Sequence, residues 1–179
     1  MWAFLLERIK MVSKNKTYIQ RDSHPELPIN PDVVKEGEYK WPPHFRLILI
    51  LYVFIGGCFG AFARYGVIEN LPTLANGWPL ATTFTNLLGA FALGMLLEGL
   101  SRLGEDGGTL RVTRLVLGTG FIGAFTTYST FVVDTHSLIA TGNMVTVVWY
   151  VLSTLIGGLI LCGLGIRIAA IHHQRGLNR

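Results

Sequence analysis

Charged residues fall so unevenly along this chain that the gaps between them outline its architecture. Seventeen uncharged residues lie between Arg46 and Arg64, 28 run from Asn70 to Leu97, 19 from Leu115 to Val133 and 32 from Thr135 to Ile166. A helix that crosses a bilayer needs about 20 predominantly apolar residues. The pattern therefore predicts four spans, at about 45–66, 79–100, 112–139 and 143–170. The first is just long enough when its end residues snorkel or Arg64 is buried among helices. The second begins as helix at Pro79, and the last interval contains a turn near Thr141, Gly142 and Asn143. Residues 1–44 differ: they carry charge of both signs, and Pro25, Pro28, Pro31, Pro42 and Pro43 arrest regular structure. They are expected to form a soluble, mobile extension. The opening MWAFLLERIK places charges inside what should be an apolar run, so a secretory signal is not expected. Residues 172–179 are expected to be a tail.

Composition strengthens this reading. Half of the 179 residues are hydrophobic, only 15% are charged, and the mean hydropathy is +0.45. A soluble chain of this size needs more polar cover. The expected class is one all-α integral membrane unit of four helices. Four spans put both termini on one side, and the Lys and Arg residues decide which. Of 15, 14 lie on the side of the termini, and Arg64 stands alone on the other. Counting only from Lys35 onward still leaves 9 against 1. The positive-inside rule then predicts both termini in the cytoplasm for the dominant orientation; the expected location is the cell (inner) membrane. Cys58 and Cys162 fall inside predicted spans, where a small buried apolar role is expected rather than a disulfide.

Twenty-one glycines are many for long helices, where each costs up to about 1 kcal/mol relative to alanine. In a membrane, small residues let helix backbones approach closely. Gly56 and Gly60 form a GxxxG, and Gly89, Gly94, Gly157, Gly158 and Gly163 lie on later spans. Gly118, Gly120 and Gly123 spell the GxGxxG of dinucleotide sites. That motif needs a parallel βαβ unit and an acidic residue about 20 positions on. Here Asn143 stands at that place and both flanks are hydrophobic spans, so nucleotide binding is rejected.

The third span is where polar chemistry concentrates. In GTGFIGAFTTYSTF, Gly118 to Phe131, three glycines precede Thr126, Thr127, Ser129 and Thr130. Such a run is poor helix material, and non-helical backbone at membrane depth is tolerated only when buried in protein or lining a wet cavity. A break near Gly123 to Thr127 is expected in the interior. Unwound carbonyls at such breaks take cations, and half-helix N-termini face anions. The alternative is that the hydroxyls only bond back to helical carbonyls.

Three motifs in order, GGCFGAFARY at 56–65, TNLLG at 85–89 and GFIGAFTTYSTF at 120–131, resemble the CrcB/Fluc fluoride channels. The resemblance covers about residues 45–170. It implies an antiparallel, dual-topology-type homodimer with two fluoride pores and a central structural sodium ion. The backbone carbonyls of Gly123 and Thr126 from each subunit would hold the sodium. Tyr128 and Phe131 would be the pore aromatics and Asn86 would reach in from the second span. The Ser129 and Thr130 hydroxyls would add donors for a tightly hydrated anion. Tyr150 and Thr154, which share a face of the fourth span, are similar to the family's polar track, with Ser153 as a competitor. Arg64 matches the motif arginine, which concentrates anions in a vestibule; its plainer role is an interfacial anchor. Two departures stand out. Position 128 is Tyr where the family usually has Phe, so a hydroxyl must be placed in or beside the pore. The charge bias favours one orientation, so a heterodimer with an oppositely oriented paralogue stands beside the homodimer.

Other functions find less support. There is no clustered set of His, Cys and carboxylates and no activated nucleophile, so an enzyme is not expected, nor is a nucleic-acid partner. His172 and His173 are expected to be solvated. A proton-coupled small-ion transporter needs an ionisable group at membrane depth, for which Asp134 is the better candidate and Glu98 the poorer. A purely structural membrane protein would leave the hydroxyl-rich break without a use.

Overall fold

The computed structural model describes residues 47–177. The chain folds as α1 (Leu47–Asn70), α2 (Leu80–Ser101), α3 (Gly108–Thr113) running into a π-helical stretch (Arg114–Ile122), the single turn α4 (Gly123–Phe125), α5 (Tyr128–Ala140) and α6 (Met144–Leu177). Among the described residues there is no strand. Four helical stretches, 47–70, 80–101, 108–140 and 144–174, are long and apolar enough to cross a membrane. This is the expected all-α, four-span arrangement with an interrupted third span. The extension expected over residues 1–44 lies outside the described residues. Arg64 sits within α1, which continues to Asn70. At the other end α6 runs through Leu177, where a tail was expected from 172. No proline interrupts residues 166–177, and the only glycine there is Gly176.

Two backbone-to-backbone seams hold the helices together. In one, α1 lies against the π-helical stretch. A Cβ added at Gly56 would strike the Val116 carbonyl, one at Gly60 the Phe121 carbonyl, and one at Gly120 would come within 2.6 Å of the Val53 carbonyl. The GxxxG of the first span and the glycines of the rejected dinucleotide motif thus meet as two halves of one contact. In the other seam α2 pairs with α6. A Cβ at Gly94 would strike the Cys162 carbonyl, and one at Gly165 the Phe91 carbonyl. Cys162 belongs to that seam, whereas Cys58, expected to be buried, is exposed on α1.

Burial is the reverse of a soluble domain. Few large apolar side chains are buried, among them Ile122, Phe125 and Leu138, while Thr82, Thr83, Thr85, Thr127, Thr146 and Thr154 are. Phe54, Phe59 and Phe62 on α1 and Leu155 and Leu159 on α6 are exposed. Such a surface suits hydrocarbon, which solvates apolar side chains and leaves polar groups to be satisfied inside.

The α1–α2 loop folds back on itself through Leu74 N–H to the Trp78 carbonyl (3.0 Å) and Gly77 N–H to the Leu74 carbonyl (2.8 Å). Gly77 has φ +83°, a left-handed conformation that glycine adopts without steric cost. The Asn143 amide, at the start of α6, donates to the Asn76 carbonyl at 2.8 Å and ties this loop to the α5–α6 turn. Beyond the opposite end of the bundle, Asp106 accepts from Arg114 Nε (3.1 Å) and Nη2 (2.8 Å).

The seams predict the response to added volume. Gly60→Leu forces α1 off the Phe121 backbone, which cannot rotate away, and should cost about 1–3 kcal/mol or more. The expected result is a lower melting temperature in detergent, while Gly66→Leu, at a position with nothing within 4 Å of an added Cβ, leaves it near that of the parent.

Candidate functional site

The third span breaks at two residues. Thr126 (φ −78°, ψ 160°) and Thr127 (φ −149°, ψ 123°) are extended, between the turn α4 and the helix α5. Extended backbone at this depth leaves peptide groups without helical partners, and one side chain on α2 supplies them. The Thr127 N–H donates to Asn86 Oδ1 at 2.8 Å, and Asn86 Nδ2 donates to the Thr127 carbonyl at 3.0 Å. Thr127 also caps α5: its Oγ1 accepts from Thr130 N–H at 3.1 Å, satisfying one of the open donors of the first turn. Its hydroxyl donates to Thr130 Oγ1 at 2.9 Å and lies 3.3 Å from Ser129 Oγ.

These bonds free two carbonyls. A continuous helix would give the Thr127 N–H to Gly123 and the Thr130 N–H to Thr126; here one goes to Asn86 and the other to the Thr127 hydroxyl. Gly123 is exposed, and an added Cβ there would meet nothing closer than the Gly118 carbonyl at 3.8 Å. Arg64 Nη1 donates a long hydrogen bond, 3.5 Å, to the Thr126 carbonyl. A carbonyl oxygen has two lone pairs, so this leaves an acceptor direction open. Two carbonyl oxygens released from helix bonding are hard donors of the kind sodium takes, and the residues fit such an ion.

The structure gathers Arg64, Asn86, Gly123, Thr126, Tyr128, Ser129, Thr130 and Phe131 around this break. Tyr128 is 80% exposed, its ring 6.3 Å from that of Phe131. Tyr150 and Thr154 stand further along, on α6. Tyr150 is fully buried, its ring 5.2 Å from Phe131, and its hydroxyl donates to Asp134 Oδ2 at 3.3 Å. Thr154 donates to the Tyr150 carbonyl of its own helix at 2.7 Å, and Ser153 to the same oxygen at 3.1 Å. In this geometry both are back-bonded hydroxyls. Asp134, weighed as a proton carrier, is an acceptor for two hydroxyls, those of Tyr150 and of Thr82 (2.6 Å).

Thr82 and Trp78 were not singled out from sequence, and Thr127 was marked only as one of the hydroxyl cluster and the end of the expected break. Thr127 opens TYST, a helix-start pattern of hydroxyl residue followed by a first turn, so its capping role was legible. Thr82 lies one helical turn before Asn86 on the same face. Trp78 carried no signal before its neighbours were known.

Comparison with known proteins places this arrangement. The family model described as "CrcB-like protein, Camphor Resistance (CrcB)" matches residues 51–166. The chain belongs to the CrcB family. Among its relatives is a "Fluoride-specific ion channel FluC 2" of Leifsonia xyli, 40% identical over 139 residues, which are 77% of this chain and 95% of the relative. One of the same name from Moorella thermoacetica is 44% identical over 116 residues, 64% and 91% of the two chains. "Fluoride-specific ion channel FluC 1" of Cutibacterium acnes is 39% identical over 116 residues, 65% and 81%. The CrcB match takes in the break, Asn86, Arg64 and both seams, and leaves out residues 1–50. The proton-transporter alternative gains nothing from it.

Asn86 holds the Thr127 N–H that the break leaves without a helical partner, and adds a bond to the Thr127 carbonyl. Asn86→Ala leaves the buried Thr127 N–H unpaired and should destabilise the protein by about 1–3 kcal/mol. Thermal unfolding in detergent checks this. Ser153→Ala, which removes only a back-bond, should shift the midpoint little.

Proposed function

We propose that this CrcB-family chain is a subunit of a fluoride-selective channel, which passes fluoride down its electrochemical gradient and lowers cytoplasmic fluoride. It is a multi-pass membrane protein and a channel, not an enzyme. The observation that carries the reading is the Asn86-held break at the foot of α5, in a chain whose relatives bear the name of fluoride-specific channels.

Fluoride is small and tightly hydrated, so leaving water requires replacement donors. Asn86 spends one amide hydrogen on the Thr127 carbonyl and has a second to offer. The electropositive edges of Tyr128 and Phe131 and the hydroxyls of Ser129 and Thr130 lie next along α5. Arg64 supplies positive charge beside the break, which raises the local concentration of anions. Tyr150 presents a ring edge, its hydroxyl being turned to Asp134. Thr154 serves an anion as a donor only after its hydroxyl rotates away from the Tyr150 carbonyl.

The assembly proposed is an antiparallel pair of such subunits in the cell (inner) membrane, the dominant orientation having both termini in the cytoplasm. A homodimer is preferred, with an oppositely oriented paralogue as the alternative partner because of the Lys and Arg bias. A structural sodium ion at the centre would rest on the Gly123 and Thr126 carbonyls of both subunits, hard ligands for a hard cation.

Fluoride efflux from proteoliposomes holding this protein alone, loaded with potassium fluoride and triggered by valinomycin, tests the function. Rapid efflux that excludes chloride is expected. Asn86→Ala and Phe131→Ile should slow it, the former by about tenfold or more for loss of a donor to a charged acceptor. Well-folded protein that releases no fluoride would remove the self-sufficient homodimer, and failure with a partner as well would remove the channel. Exchange of sodium for N-methylglucamine should lower both the efflux and the dimer fraction on size exclusion; if both persist unchanged, the sodium ion leaves the proposal.

A further inference from the structure

Four aromatic rings stand in file from the break to the α1–α2 loop. Tyr128 meets Phe131 at 6.3 Å between centroids, Phe131 meets Tyr150 at 5.2 Å, and Tyr150 meets Trp78 at 5.8 Å with the planes 82° apart. The last is an edge-to-face contact, the geometry that ring quadrupoles favour. Trp78 is the only member of the file that comes from a loop, and that loop is pinned on several sides. The Trp78 indole N–H donates to Thr83 Oγ1 at 3.0 Å, and the Thr83 hydroxyl donates to the Pro79 carbonyl at 3.0 Å. The Trp78 backbone N–H donates to Asn76 Oδ1 at 3.1 Å, and Asn143 holds the Asn76 carbonyl from α6. Gly77 sits close on α5, where an added Cβ would come within 3.1 Å of Leu138.

The ring that Trp78 touches is the one whose position matters most at this end. Tyr150 is fully buried and connects Phe131 to Asp134. Its hydroxyl bond to Asp134 is long, 3.3 Å, against 2.6 Å for the bond from Thr82. That bond alone is too weak to fix the ring, and the Phe131 and Trp78 rings supply packing beside it.

We infer that Trp78 is a positioning residue for fluoride passage, holding the Tyr150 ring against Phe131 and its hydroxyl on Asp134 at the loop end of the route. The inference rests on the channel reading above. Without the indole, Tyr150 moves into the vacated volume. Its ring edge then leaves Phe131, and Asp134 loses one of the two hydroxyls that face it.

The test is a double-mutant cycle on the full chain in proteoliposomes, using fluoride efflux and size-exclusion profiles of Trp78→Leu, Trp78→Phe, Tyr150→Leu and the Trp78→Leu/Tyr150→Leu pair. Trp78→Leu should slow efflux about three- to tenfold, the scale of a lost aromatic edge contact, while Trp78→Phe keeps most of the rate. In the Tyr150→Leu background Trp78→Leu should have no further effect, a non-additivity that general loosening of the fold does not produce. Should Trp78→Leu fail to give a monodisperse protein, Trp78→Phe and Trp78→Tyr carry the cycle at smaller amplitude. Unchanged efflux in Trp78→Leu, or the same slowing with and without Tyr150, overturns the inference and leaves the channel intact. A parent protein that passes no fluoride removes the channel reading and this inference with it.

Discussion

Every peptide group at membrane depth must find a partner inside the protein, and this molecule is arranged around the two residues where a helix stops providing one. Between α4 and α5 the backbone is extended at Thr126 and Thr127. The Asn86 amide, which combines a donor and an acceptor in one plane, takes the place of the missing helical bond of the Thr127 N–H and adds a second bond to the Thr127 carbonyl. A hydroxyl side chain there has only one hydrogen to give, and an aliphatic one would leave the Thr127 N–H open. Because the Asn86 bonds engage Thr127 from α2, the break can persist without the third span either reforming as a helix or unravelling.

That arrangement demands accurate placement of α2 and of the first span, which the glycine seams provide. Contacts between backbones leave little freedom for helices to slide, since a carbonyl cannot change rotamer to absorb a shift. Gly60 sets α1 against Phe121, six residues before Thr127, and on the same helix Arg64 reaches the Thr126 carbonyl. The π-helical stretch at Arg114–Ile122 lies directly beneath the break. With one extra residue per turn, a π-helix rotates the downstream residues relative to their places in an α-helix, and its wide turn is where the α1 glycines seat.

Much of this was legible in the chain. The four spans follow from charge-free length alone, and the break follows from a density of glycines and hydroxyls that neither helix nor hydrocarbon favours. Asn86 was legible as polar within a span, but not as the partner of Thr127, 41 residues away, because pairing at that separation depends on how α2 crosses the third span. Thr154 shows the opposite limit. Its i, i+4 relation to Tyr150 was correct, yet the same spacing that puts two side chains on one face also lets a Thr hydroxyl reach the carbonyl one turn back. The extension of α6 to Leu177 was missed because charged and histidine residues end a hydrophobic span without ending a helix.

The surface beside the break sets polar groups among apolar ones. Gly123, Tyr128 and Ser129 are exposed, and the first of these presents a carbonyl deprived of its helical donor. Tyr128 brings a phenol to the same face at 80% exposure. Hydrocarbon cannot satisfy such groups. A second subunit brought to this face would cover them with the chemistry they lack: its own released carbonyls, around a cation shared between the two, and its own Arg64. The proposed dimer would answer that demand, because a helix interrupted at mid-membrane is stable when every side of the interruption is protein or water.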